Sequence, residues 1–291
     1  MNRLKKTADF IEKLMNILFV ICGFLTIAFM LLIMGFLAVS GVPAISEIGL
    51  INFIFGTKWA STATNPSYGI LPFILSSAYG TCGAILIGVP IGVLCAIFLA
   101  KMSKPVISKI VSSAVDLISG IPSVVYGLVG MIVVVPAVRE VFNLADGANL
   151  FSAIIVLTIM ILPVVISVSE TAIQAVPKEY EEASLALGAT KTETVFKVIV
   201  PAAKSGIFTS IVLGVGRSIG EAMAVMMVAG NVANMPRLFT SVRFLTTAIT
   251  SEMSYSSGLQ REALFSIALV LFIFIMMINI VINLAAGKKE R

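Results

Sequence analysis

Residues 177–201 read PKEYEEASLALGATKTETVFKVIVP, and this polar interval between two long apolar stretches decides how the whole chain is laid out. Pro177 suits the first position of a helix, where its missing N–H costs nothing, and Gly188 suits the left-handed residue that closes one. The spacing therefore predicts a first helix over Lys178 to Leu187. Thr190 followed by Glu193 reads as a capping box that starts a second short helix, and Pro201 opens the next apolar span. On the first helix Tyr180, Ala183 and Leu187 fall on one face, while Lys178, Glu179, Glu181 and Glu182 stay in water. Two short helices with a sharp turn between them form a module for a partner outside the membrane to grip.

The composition around this module is that of an all-α integral membrane protein: of 291 residues, 58% are hydrophobic and only 12% charged. Apolar stretches long enough to cross a bilayer lie over residues 14–40, 69–100, 110–137, 149–176, 202–229 and 263–286, which predicts six transmembrane helices. The first is uncharged from Leu14 to Val39, too long for a signal-peptide core, and no small-residue cleavage site follows it, so it reads as an uncleaved anchor. The expected organisation is a cytoplasmic tail over 1–13, a six-helix domain over 14–286 containing the 177–201 loop, and a basic tail over 287–291.

Lys and Arg set the orientation. Fourteen fall on the side of the 177–201 loop and both termini, namely Arg3, Lys5, Lys6, Lys13, Lys101, Lys104, Lys109, Lys178, Lys191, Lys197, Lys204, Lys288, Lys289 and Arg291. The other side carries five: Lys58, Arg139, Arg237, Arg243 and Arg261. Both termini and the loop are therefore expected in the cytoplasm. This topology accounts for the net charge of +5, so the charge is no argument for nucleic acid. Cys22, Cys82 and Cys95 lie in apolar spans and behave as small hydrophobes, with no disulfide expected. The chain has no His, which argues against a metal site and against His-based catalysis.

Within the spans, three features stand out. The second is crowded with Gly69, Pro72, Gly80, Gly83, Gly88, Pro90 and Gly92, which suits the interior of a bundle. The third carries Asp116 and then Gly120-Ile121-Pro122-Ser123, a break that reads either as a packing kink or as a discontinuous helix lining a cavity. The fifth places Arg217 and Glu221 in an apolar helix, where either charge alone costs on the order of 2.5–3.5 kcal/mol. Four residues apart, they are expected on one face, able to pair, with Gly216 and Gly220 opening the helix to a close neighbour. Mutual neutralisation is one reading of the pair; a guanidinium meeting an oxyanion in a pore, steadied by Glu221, is the other. Glu170 near the cytoplasmic end of the fourth span is read as structural, within reach of water or of the lysines of the loop after the second span, and Ile51 to Phe55, Trp59 and Tyr68 are read as interfacial anchors. The external segment 231–262 is long enough for a short helix.

Glu182-Ala183-Ser184, three residues, Gly188, nine residues, then Val198-Ile199-Val200-Pro201 resembles the EAA loop of bacterial ABC importer permeases. Ser184, Val198 and Val200 are conservative departures from that pattern. Gly216-Arg217-Ser218-Ile219-Gly220-Glu221-Ala222-Met223-Ala224-Val225 and Ala229-Gly230-Asn231 resemble, further, the phosphate-importer permeases of the PstC type. So do Tyr68-Gly69-Ile70-Leu71-Pro72, Gly120 to Gly127 and Ser251-Glu252-Met253, so that the likeness covers most of the chain from Phe53 to Leu264. One departure is Ala222, where that family commonly has Thr.

The resemblance implies a MetI-like permease fold and translocation of inorganic phosphate across a bacterial plasma membrane. It implies a substrate pathway at Arg217, Ser218 and Glu221, ATPase coupling through Glu182, Ala183, Gly188 and Pro201, and a pore-lining break at Gly120, Pro122 and Ser123. The expected partners are a second, PstA-type permease, two cytoplasmic ATPase subunits and an external phosphate-binding protein. No phosphate-cradling Gly-x4-Gly-Lys-Ser/Thr occurs: before Gly287-Lys288-Lys289 stands Ile282 in the first glycine's place. The chain is thus expected to be no enzyme and to hold no cofactor, with ATP and Mg on the partner ATPase. Other readings are a permease for sulfate or molybdate, an ion-coupled secondary transporter with Arg217 and Glu221 in a proton relay, and a phosphate-sensing scaffold.

Overall fold

The computed structural model describes residues 2–287, with side chains placed over 12–280. It opens with one long helix, α1 (Asn2–Ile48), so the segment expected as a tail is helical from Asn2; the basic residues Lys288, Lys289 and Arg291 lie outside the described residues. A short external α2 (Leu50–Phe55) and a two-stranded hairpin, β1 (Trp59–Ala60) with β2 (Ser67–Tyr68), lead to α3 (Leu71–Ile97). A π-helical turn, Phe98–Met102, extends α3 to the cytoplasmic side.

The third apolar stretch is interrupted at Gly120-Ile121-Pro122. An amphipathic α4 (Pro105–Ser119) ends there, and α5 (Ser123–Val129) continues through a π turn into α6 (Val135–Val141). Next come α7 (Leu150–Gln174), the cytoplasmic α8 (Lys178–Ala186), α9 (Lys191–Thr194) and, after a π turn, α10 (Val200–Ala202). A fifth span made of α11 (Lys204–Gly220) and α12 (Met223–Val228) follows. The external α13 (Leu245–Glu252) and the long α14 (Gly258–Gly287) complete the chain. Five segments of the described residues are long and apolar enough to cross a bilayer by themselves, and α11 supplies a sixth crossing after a 68° bend from the α9–α10 segment. Pro201 thus sits in the short turn before that bend rather than at the start of the span.

The bundle is centred on α7, whose 25 residues run roughly 37 Å, enough to cross the roughly 30 Å hydrocarbon layer. Its apolar side chains are buried almost throughout. α3 runs parallel to it and approaches through a glycine face: a Cβ added at Gly83, Gly88 or Gly92 would stand 2.7, 2.8 and 2.7 Å from Ile154, Ile161 and Val165. The crowding of glycines read from the second span is therefore a packing surface. On the other side α11 runs antiparallel, with Gly206 against Ala172 and Gly214 against Val165. Gly216 and Gly220, expected to admit a close neighbour, have no atom of the described residues within 4 Å of an added Cβ.

Of the residues read as interfacial, Ile51 and Phe55 are exposed, but the other aromatics are not surface anchors. Phe53, Trp59 and Tyr68 are buried, with Phe73, Leu245 and Leu264, in a core that ties the hairpin and α13 to the tops of α3 and α14. The Glu252 carboxylate organises the polar rim of this core: it accepts from Trp59 Nε1 at 3.1 Å, from Ser61 Oγ at 3.3 Å and from Gln260 Nε2 at 3.0 Å, and it is ion-paired with Arg243. Glu170 is likewise buried: it accepts from Ser112 Oγ and Gln174 Nε2, as suits the structural role read for it, and among the described residues it pairs with these rather than with a lysine.

Leu at position 92 must displace Val165, whose branched side chain is stiff. Gly92→Leu is expected to destabilise the bundle by about 1–3 kcal/mol through overpacking, seen as a lower melting temperature in detergent. Gly23→Leu, where an added Cβ meets nothing within 4 Å, is the control expected to melt like the native protein.

Candidate functional site

Two broken spans meet at one place. α5 and α12 run side by side after their respective breaks, and Gly127 makes this possible: a Cβ there would stand 2.8 Å from both Ala224 Cα and Met227 Sδ. Each break exposes backbone groups that a continuous helix would satisfy, and each is closed by a side chain from elsewhere. Below α5, Tyr126 Oη donates to Ile118 O at 2.6 Å, across the Gly120–Pro122 break. Gly120 and Pro122 are exposed and Ser123, the first residue of α5, is half-buried.

At the other break α11 ends before Glu221, whose backbone is extended (φ −73°, ψ 123°). Its carbonyl accepts from Thr246 Oγ1 of α13 at 2.8 Å. Its carboxylate Oε1 accepts from Ala224 N at 3.0 Å, so the side chain caps the first turn of α12. The expected Glu221–Arg217 pair within one continuous helix is therefore not what forms: the helix stops between them, and among the described residues no ion pair joins them.

Arg217 lies thirteen residues after Lys204, roughly 20 Å along α11 and thus deep in the membrane. It is half-buried, and among the described residues it has no carboxylate partner. It stands one helical turn before the break that ends α11, and the continuation α12 packs against α5 at Gly127. Ser218 is buried, and its Oγ makes no hydrogen bond among the described residues. The structure thus brings Arg217, Ser218, Glu221 and the Gly120–Ser123 break into one region. Tyr126 and Thr246 belong with them and were not singled out from the sequence. Tyr126 follows the break by one helical turn, a usable local signal; Thr246 is 25 residues from Glu221, and no local pattern marks it.

The second candidate site is cytoplasmic. α8 buries none of its residues: Glu182 and Ala183 are exposed, Tyr180 is 52% and Leu187 90% exposed. Pro177 stands as the residue before the first turn, and Gly188 closes α8 at φ +87°, the left-handed conformation its sequence position predicts. The capping box is present: Thr190 Oγ1 accepts from Glu193 N, and Glu193 Oε2 accepts from Thr190 N at 3.1 Å. The backbone and hydroxyl bonds from Thr190, with Lys197 beside it, hold the Glu193 carboxyl down at about 2. Behind α9, Val195 and Ile199 are buried against Ile97, Ile173 and Ile207, so the module is rooted in the cytoplasmic ends of three spans. Pro201 is exposed at the bend.

Residues 88–288 match the family described as "Binding-protein-dependent transport system inner membrane component". The chain is 37% identical over 274 residues to the "Probable ABC transporter permease protein YqgH" of Bacillus subtilis, covering 92% of this chain and 89% of that protein. It is 33% identical over 260 residues to the "Phosphate transport system permease protein PstC" of Haemophilus influenzae, covering 82% of each. Among solved structures it superposes on an inward-facing MetNI methionine ABC transporter with a TM-score of 0.56 at 20% identity, over 76% of this chain and 94% of that one.

The capping role of Glu221 is separable from its charge. Glu221→Ala leaves the Ala224 N–H without its acceptor and is expected to cost about 1 kcal/mol, whereas Glu221→Gln keeps an oxygen there and restores most of the loss in melting temperature. Equal losses in the two variants would mean that the charge, not the cap, is what the fold uses.

Proposed function

The chain belongs to the family of binding-protein-dependent transport system inner membrane components, and we propose that the solute it carries inward is inorganic phosphate. It is the membrane-spanning subunit of an ABC importer, held in the inner membrane by its apolar helices. The observation that carries the phosphate reading is Arg217, a half-buried guanidinium deep in the membrane, beside two helix breaks, whose neighbouring carboxylate is used to cap α12. A cation at that depth costs on the order of 2.5–3.5 kcal/mol unless something compensates it. A planar fork of donors suits a tetrahedral oxyanion held by two parallel hydrogen bonds. The relatives named phosphate transport system permeases support the same cargo.

Under this proposal Ser218 lends a hydroxyl to the passing anion and Glu221 sets the end of α11. The Gly120–Ser123 break lines the same pathway. A related permease of the PstA type completes it, and an external phosphate-binding protein delivers the anion. Two cytoplasmic ATPase subunits hold the ATP and Mg and grip the exposed face of α8 around Glu182, Ala183 and Gly188, with Pro201 at the bend that leads into α11. Closure of the ATPase pair on ATP draws the α8 helices together, and the Arg217 face turns outward to the loaded binding protein. Hydrolysis returns it inward.

The test is ATP-dependent uptake of radiolabelled phosphate by vesicles holding the reconstituted complex, with and without excess sulfate. Uptake is expected to resist sulfate and to fall roughly ten- to a hundredfold in Arg217→Gln, the range set by loss of a hydrogen bond to a charged group, with the complex still assembled. Unchanged uptake in an assembled Arg217→Gln complex would make Arg217 a structural residue.

A further inference from the structure

α8 is the element through which an ATPase would move this chain, yet its own grip on the bundle is slight, because none of its nine residues is buried. Among the described residues, two side-chain hydrogen bonds hold it. Ser184 Oγ and Thr194 Oγ1 are 2.9 Å apart, which ties α8 to α9 next door in the chain. The other reaches 80 residues back: Lys101 Nζ donates to Glu181 Oε2 at 2.7 Å. Lys101 lies in the π turn that ends α3, the helix packed along α7 through Gly83, Gly88 and Gly92. We propose that the Lys101–Glu181 pair is a strut that transmits the movement of α8 into α3, and hence that both are positioning residues for the coupling of ATP hydrolysis to transport.

Three observations support the assignment. The pair is sheltered, with side-chain exposures of 14% and 26%, unlike the Lys197–Glu193 pair on the same module at 74% and 47%. An exposed pair contributes little; a sheltered one at 2.7 Å is a directional link. Glu181 and Ser184 are three residues apart, so the two links leave one face of α8 and diverge beyond it, one into α9 and one into the end of α3. Through α9 a push on α8 reaches Val195 and Ile199, and so, by apolar contact, α3 at Ile97, α7 at Ile173 and α11 at Ile207. Through Lys101 it reaches the end of α3 directly, by a charged hydrogen bond. With both links in place, α8 moves α3, α7 and α11 as one body; without the strut, α3 follows only through its apolar contacts at Ala96 and Ile97. Finally, π turns recur at functional sites, and this one ends α3 at Lys101–Met102, beside Lys191, Thr192 and Val195 of the module.

The proposal rests on α8 being the ATPase-docking helix. Its test is charge reversal in the full reconstituted complex, reading phosphate carried per ATP hydrolysed together with complex abundance and melting temperature. Lys101→Glu and Glu181→Lys are each expected to lower phosphate carried per ATP about tenfold, the worth of one hydrogen bond between charged groups. The double variant, Lys101→Glu with Glu181→Lys, restores it. Lys101→Met is expected to fall like the single reversals. Native coupling in an assembled Lys101→Met complex overturns the strut, and so does a double variant that stays uncoupled while folded. Loss of the assembled complex in the single variants makes the pair a folding element and overturns the coupling role. A native complex that carries no phosphate at all refutes the cargo assignment instead, and binding-protein-stimulated ATP hydrolysis then reads the strut on its own.

Discussion

Inside hydrocarbon there is no water to satisfy a free N–H or C=O, so a helix can be interrupted only where the protein supplies replacements. That constraint governs the central region of this permease. At the third span Tyr126 Oη serves Ile118 O; at the fifth, Thr246 Oγ1 serves Glu221 O and the Glu221 carboxylate serves Ala224 N. Each of these bonds removes a backbone polarity that would otherwise cost several kcal/mol in lipid. Together they allow two spans to be broken side by side, with Gly127 bringing α5 and α12 into backbone contact. A non-helical stretch of backbone at membrane depth is a feature of transport pathways, and here it is stabilised by side chains drawn from three different parts of the chain.

The breaks need a rigid frame, which α3, α7 and α11 supply. Glycines on α3 let it lie against α7 at distances where a methyl group would collide with Ile154, Ile161 or Val165. In a bilayer, lipid tails compete with side chains for apolar contact, so close backbone approach and dense packing hold helices together. The same frame descends to the cytoplasmic side, where Val195 and Ile199 insert among Ile97, Ile173 and Ile207. The docking module is thus anchored through α9 and its π turn, leaving α8 outermost and exposed for a partner.

What could be read from the sequence followed the range of the interaction responsible. Local rules placed the spans, the charge asymmetry, the left-handed Gly188 and the Thr190–Glu193 box, because each depends on neighbours within four residues. The glycine-rich face of α3 was legible for the same reason. Trp59 and Tyr68 read as interfacial because their burial depends on α13 and α14, nearly two hundred residues later. The Arg217–Glu221 pairing failed because helical spacing assumes a continuous helix, and nothing at Ala222 announces that α11 stops. Only Thr246, from a distant segment, makes that stop affordable. Glu170 was legible as structural but its partners were only half so: Gln174 is four residues on, while Ser112 comes from another helix.

A comparison of two arginines brings these strands together. Arg243 lies at the outer rim, paired with Glu252, donating through Nε to Asn231 O at 3.1 Å and stacked 5.8 Å over the Phe73 ring. Its guanidinium is held by the fold through an ion pair, a backbone carbonyl and an aromatic face, as expected for a structural cation with little water around it. Arg217 has none of these partners among the described residues although it sits deeper, where leaving a charge uncompensated costs more. The fold had a carboxylate one turn away and used it to cap α12. Under the proposed function a cation at that depth, with no counter-ion among the described residues, is compensated by the passing anion or by a paired permease, which is why Arg217 rather than Arg243 is the residue proposed for the pathway.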